Sequence, residues 1–289
     1  MLERQEPAPS GGRSELSLLR ALFPDIVAEV DAAYLGNGGA DARAEAELDA
    51  RLDAAGEELL AGTGLAGITD PEPRALFEAA FDAARSLARA LGVDAPEPEE
   101  FELAGVELGA LARRAEAGSA ELVPVVAPYG AGAAAWREAY AELASEHPAV
   151  LADPAAAAGE PLILAGEIQR EFAWLDLPPQ GVTQTQPRGG RVSWTIRLIP
   201  ASPAAPQRGL SHAHGPHASL PEMLALQVAR IRAGEAPVDG SSFTWLDGEL
   251  GDGKLAGRHV YDAGERAVRI SAREVGSQGP HLGARPPVA

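Results

Sequence analysis

Between Arg191 and Leu198 the side chains alternate: Val192, Trp194, Ile196 and Leu198 fall on one side, Arg191, Ser193, Thr195 and Arg197 on the other. A period of two is that of a half-buried strand, and a strand is predicted here. Phe243 to Leu250, Leu255 to Tyr261 and Ala267 to Glu274 read as three more strands, separated by Asp252-Gly253 and Ala263-Gly264. The glycines permit the positive φ of tight hairpins, so these strands form an antiparallel meander. Val192, Trp194, Ile196, Val268 and Ile270 are expected to share one core.

The N-terminal part follows the helical period instead. Leu19, Leu22, Phe23, Ile26, Val30 and Ala33 recur at spacings of three and four, and Ala44 to Ala61 is rich in the helix formers Ala, Glu and Leu. A third helix has both ends marked: Asp70 can cap it, Pro71 suits its first position, and Gly92 supplies its exit. Leu76, Phe77, Ala80, Phe81, Ala84, Leu87 and Leu91 form its expected buried stripe. A fourth helix is predicted from Glu99 to Ala117.

In the middle section, Leu122 to Ala127 reads as a strand, Ala133 to Ser145 as a helix, and Ala149 to Ala152 and Pro161 to Leu164 as short strands. Pro200 to His217 carries too many Pro and Gly for a regular element, a helix follows from Pro221 to Ala233, and Gly279 to Ala289 reads as an irregular tail. The fold class is α+β: an N-terminal helical bundle, a mixed region, and a C-terminal antiparallel sheet with a packed helix. The expected division is a flexible arm at 1–13, an acidic helical domain at 14–118, and an α/β to α+β domain at 119–289 ending in the meander.

Charge sharpens this division. The net charge is -18, and residues 1–150 hold 28 acids and 11 bases while 151–289 hold 14 and 13, giving -17 and -1. Such a field repels nucleic acid and anionic membranes and favours basic partners. The reading is a non-catalytic binding, accessory or assembly protein that recognises a basic protein surface, on another chain or on the Arg-bearing face of its own C-terminal half. With no Cys there is no disulfide or thiolate chemistry, which suits the cytoplasm. Apolar stretches are far shorter than the roughly 20 residues of a membrane span, and Met1 to Arg13 lacks the basic start and apolar run of a signal peptide.

Four groups of residues carry candidate chemistry. Arg191, Arg197, Arg269 and Arg273 stand opposite the apolar positions of their strands and could share an open face that takes anions or an acidic protein surface. Gly130, Gly132 and Ala135 fit G-x-G-x-x-A between a strand and a helix, with Asp153 further on, the elements of a nucleotide- or dinucleotide-binding unit. His212, His214 and His217 crowd one loop, and imidazole is a common zinc ligand. Their spacing resembles the H-x-H-x-D-H signature of metallo-β-lactamase-fold hydrolases, with Pro216 in the Asp position. That resemblance implies a metal-dependent enzyme with these three His as ligands. Finally, Trp136, Trp174, Trp194 and Trp245 read as core anchors, and an exposed one would mark an interface. No G-x-S-x-G, G-x-x-x-x-G-K-[ST] or H-E-x-x-H sequence occurs.

Overall fold

Asp70 and Gly92 bound the first helix as their chemistry requires. In the computed structural model, which describes residues 64–117, 121–156, 159–187 and 190–289, α1 runs over Pro71–Leu91, the Asp70 carboxylate accepts the Glu72 N–H, and Gly92 closes the helix in the left-handed conformation. Its buried stripe is Phe77, Phe81, Ala84, Leu87, Ala88 and Leu91, whereas Leu76 is exposed. The single helix expected from Glu99 to Ala117 is two, α2 (Pro98–Leu103) and α3 (Leu108–Ala117), because the chain passes through Gly105 at φ 98, outside the helical region. The expected arm at 1–13 and the helices predicted at 15–34 and 44–61 lie outside the described residues.

Next come β1 (Leu122–Tyr129), α4 (Gly132–Glu146), β2 (Leu162–Leu164), and two short helices, α5 (Gly166–Arg170) and α6 (Phe172–Leu175). Ala149 to Ala152, expected as a strand, is a turn. The alternating segment forms β3 (Ser193–Pro200), antiparallel to β1 in a two-stranded sheet. Prolines inside β1 fit because of register. Pro124 and Pro128 pair with Leu198 and Trp194, whose N–H groups turn away from β1 to Val288 and Thr185. Those β1 positions therefore face the free edge, where no ladder bond is lost and a further strand is discouraged.

Both faces of this sheet are covered. Trp194, Ile196, Leu198 and Val126 pack with α1, α2 and α3 in one core cluster, which thus spans residue 118. Val125, Ala127, Tyr129 and Ile199 pack against α7 (Leu220–Arg232), which is buried from Leu220 to Val228 and again at Ile231. The core expected to unite Trp194 with Val268 and Ile270 is consequently two clusters, one on each side of the two-stranded sheet.

Beyond β4 (Gln207–Arg208), β5 (Phe243–Leu250), β6 (Leu255–Asp262) and β7 (Ala267–Glu274) form the expected antiparallel meander. The sheet they belong to is mixed and six-stranded, in the order β2-β7-β6-β5-β8-β4, with β2 parallel to β7 and β8 (Leu282–Ala284) parallel to β5. The expected irregular tail thus supplies a buried strand. The fold is α+β, and among the described residues the N-terminal region is mainly helical and no helix is long and apolar enough to cross a membrane.

Arg197 lies on the face of β3 toward α7 and forks onto Glu222, Nε to Oε1 at 2.6 Å and Nη2 to Oε2 at 2.5 Å. Glu222 is wholly buried. Removing one partner of a buried pair strands the other charge at a cost of about 3–5 kcal/mol. Arg197→Met should lose stability of that order in urea unfolding, and adding Glu222→Gln should recover more than half of it. Additive losses in the double variant would show that the pair does not carry the effect.

Candidate functional site

Gly130 and Gly132 do join a strand to a helix, at the end of β1 and the start of α4. The N-terminus of α4, where a phosphate would sit in a βαβ unit, is already answered by a carboxylate. Asp176 Oδ2 accepts the Gly132 N–H at 2.8 Å and the Asp176 carbonyl accepts the Gly130 N–H. The unit around it also differs: β1 pairs antiparallel with β3, and β2 belongs to the other sheet. Asp153 caps the 3-10 turn Pro154–Ala156 by accepting the Ala155 N–H, and Ala135 packs at the edge of the main core. These residues form a strand-to-helix joint closed by Asp176.

The three His of the 211–217 loop are engaged by the protein itself. His212 Nε2 donates to the Leu246 carbonyl at 3.0 Å, and His217 Nε2 donates to the His212 carbonyl at 2.7 Å. His214 Nδ1 meets the Ser211 hydroxyl at 2.8 Å. The His212 and His217 rings stack with centroids 4.6 Å apart, and Trp245 meets His212 edge-on. Burial lowers the pKa of His217, favouring the neutral ring. Among the described residues no group of three His, Asp or Glu side chains is arranged to hold a metal ion. The imidazoles pin an irregular loop to β5.

The expected Arg face is only partly assembled. Arg197 is buried in the other sheet, and Arg191 precedes β3 and is exposed. Arg269 and Arg273 share the outer face of the meander, where the register adds Arg258. Arg258 stands 4.2 Å over the Phe243 ring and donates from Nε to the Ser271 hydroxyl at 3.0 Å, while Arg269 pairs with Glu265. Burial, then the neighbouring Arg273, lowers the pKa of Arg258. A period-two reading of Leu255 to Tyr261 could have found Arg258, since its cross-strand neighbours are Trp245 and Ser271.

A second ionic cluster is closed to solvent. Asp239 binds Arg285 at 2.7 Å and His259 at 3.0 Å, with all three side chains fully buried. Asp239 holds a left-handed backbone at φ 62, and its pKa is lowered by His259 and Arg285 against the effect of burial. Partnerless N or O atoms remain on His259, Arg285 and Thr244.

The features that reach solvent are apolar. Trp136, Trp194 and Trp245 are buried, as core anchors should be, but Trp174 is 57% exposed and Leu177, three residues on, 52%. In the run Trp174-Leu175-Asp176-Leu177, Leu175 and Asp176 turn in and the outer two turn out. A groove of about 460 Å³ also opens between α1 and α7 over the β1 edge, with exposed Leu76 at its lip and Ala80, Val125 and Ala229 in its walls. No protein-family model, curated protein or solved structure matches the chain.

Burial pushes the Asp176 carboxyl up to about 6, against the lowering by the Gly132 and Gly130 amides. A raised carboxyl pKa means that the folded chain binds this proton more tightly than the unfolded one. The contribution therefore favours folding as pH falls through about 6 and is lost above it. The unfolding free energy of the wild type minus that of Asp176→Asn should rise on acidification between about pH 6 and pH 4, by up to about 1.4 kcal/mol per pH unit. Denaturant titrations at several pH values measure it, and a difference independent of pH would contradict the assignment.

Proposed function

We propose that this chain is a non-catalytic binding or assembly protein, cytoplasmic as its Cys-free composition suggests, that recognises a basic surface on another protein. The observation that carries the reading is the division of charge, -17 over residues 1–150 against -1 over 151–289. A uniform demand for solubility does not require such a division. Glu72, Glu78, Asp82, Asp94, Glu97, Glu107 and Glu116 are exposed on and between α1, α2 and α3. Leu103, 87% exposed, lies in the same acidic stretch, close in sequence to Glu99, Glu100, Glu102 and Glu107. An apolar side chain among carboxylates suits a partner with basic residues around an apolar contact.

Attraction of this kind acts on encounter. Charges steer association and are screened beyond roughly 8 Å at physiological ionic strength, so the association rate should respond to salt more than the dissociation rate. With the full-length chain immobilised, a basic partner protein captured at low salt should bind with an on-rate that falls about tenfold or more between about 50 mM and 500 mM salt. A rate that stays flat over this range would leave the acidic surface as a solubility device.

A further inference from the structure

The position of Trp174 concentrates three things that a basic partner would use. We infer that Trp174 and Leu177 form the seat of a Lys- or Arg-bearing segment of a partner protein, with the indole face receiving the cation and nearby carboxylates completing the contact. This rests on the reading of the chain as a receptor for a basic surface, and it adds a contact for such a surface outside the acidic 1–150 stretch.

The first of the three is apolar area. Among the described residues the exposed large hydrophobics are Leu76, Leu103, Trp174 and Leu177, and two of these share one short segment of the chain. Trp dominates the energetics of protein interfaces because it supplies much area with few rotatable bonds.

The second is rigidity. Phe172 and Leu175 of α6 are buried, which fixes the helix that presents Trp174. The indole Nε1 lies against Gly248 on β5, where a Cβ would stand 3.6 Å from Nε1 and 3.4 Å from Leu175 Cδ2. Gly248 has φ 93, which glycine adopts freely, and it sits in the register shift between Trp245 and Glu249. The strand bends there and leaves a bare patch of backbone for the indole. A side chain already held in place loses less freedom on binding.

The third is charge. Gly248 is flanked by Asp247 and Glu249, both exposed, and Glu171 Oε1 accepts the Gly251 N–H from the adjoining hairpin at 3.3 Å. Asp252 is exposed in that hairpin, with Lys254 as its basic residue. In the two segments that meet where Gly248 touches the indole, residues 170–177 and 247–254, the carboxylates of Glu171, Asp247, Glu249 and Asp252 outnumber the cations of Arg170 and Lys254. A guanidinium or ammonium over the ring face is attracted by the ring's quadrupole, and carboxylates at the rim add charge-assisted hydrogen bonds.

The probe is a fluorescein-labelled peptide of alternating Arg and Leu, bound to the full-length chain at low salt and followed by fluorescence anisotropy. Trp174→Ala should weaken binding about tenfold or more, and Trp174→Phe, which keeps a ring face, by only about threefold. The double variant Asp247→Asn/Glu249→Gln, which leaves the apolar contact intact, should weaken binding at low salt and flatten its salt dependence. Glu160→Gln, at an exposed carboxylate ahead of β2 and outside both acidic stretches, should change it little, and circular dichroism establishes that each variant is folded. Equal binding by the wild type and Trp174→Ala would overturn this seat while leaving the wider reading in place. No binding by the wild type even at low salt would overturn both.

Discussion

A buried charge must be answered, and the structure is organised around answering Arg197. Its guanidinium on β3 forks onto Glu222, which as the third residue of α7 also accepts the Ser219 N–H at 2.7 Å, while Ser219 accepts the Glu222 N–H in return. The Ser219 hydroxyl reaches Tyr129 at the end of β1, 2.8 Å away. One network thus fixes the start of α7 against both strands of the two-stranded sheet. Because α7 is buried along most of its length, its axial position decides what the rest of the core packs against. Desolvation makes such a pair a poor source of net stability, but any displacement of α7 that separates the charges is heavily penalised. The Asp239 cluster does the same past the other end of the helix: Arg285 joins it to the Pro200 carbonyl at the end of β3, and His259 joins it to β6. The first network ties α7 to the two-stranded sheet, and the second ties the end of that sheet to the mixed one.

How much of this can be read from the order of residues depends on the range of the interactions. Asp70, Pro71 and Gly92 mark α1 because capping is settled within a turn, and the meander strands are legible because their alternation and hairpins are local. Ser219-Leu220-Pro221-Glu222 is likewise a readable capping box for α7, although nothing in it announces that Glu222 must meet Arg197. Alternation along β3 gives two faces but not their coverings. Arg197 reads as solvent-facing until α7 is known to lie on that side. The parallel partners β2 and β8 are three residues each, too short for any period to show, and they join the sheet only through long-range pairing.

The candidate sites divide in the same way. The glycine motif and the His loop are local patterns, and both are found where their spacing puts them, yet the partners that define their chemistry come from elsewhere: Asp176 for the helix terminus, Leu246 for His212. Trp174 is the reverse case. Its sequence neighbourhood is as apolar as that of a core tryptophan, and the surface it rests on, the backbone of β5 at Gly248, lies far away in the chain.

What the proposed seat at Trp174 needs most is an exposed indole in an acidic setting, and the distribution of the four tryptophans makes this directly measurable. Trp136, Trp194 and Trp245 are buried, so collisional quenchers in water reach Trp174 before any other. Caesium and iodide ions differ in the sign of their charge, and a negative local potential concentrates the first and excludes the second. Relative to free N-acetyltryptophanamide, quenching of tryptophan emission at low ionic strength should be much less weakened for caesium than for iodide, in one accessible fraction that disappears in Trp174→Phe. Iodide quenching that on this normalised scale equals or exceeds caesium quenching, or an accessible fraction that persists without Trp174, would contradict the account.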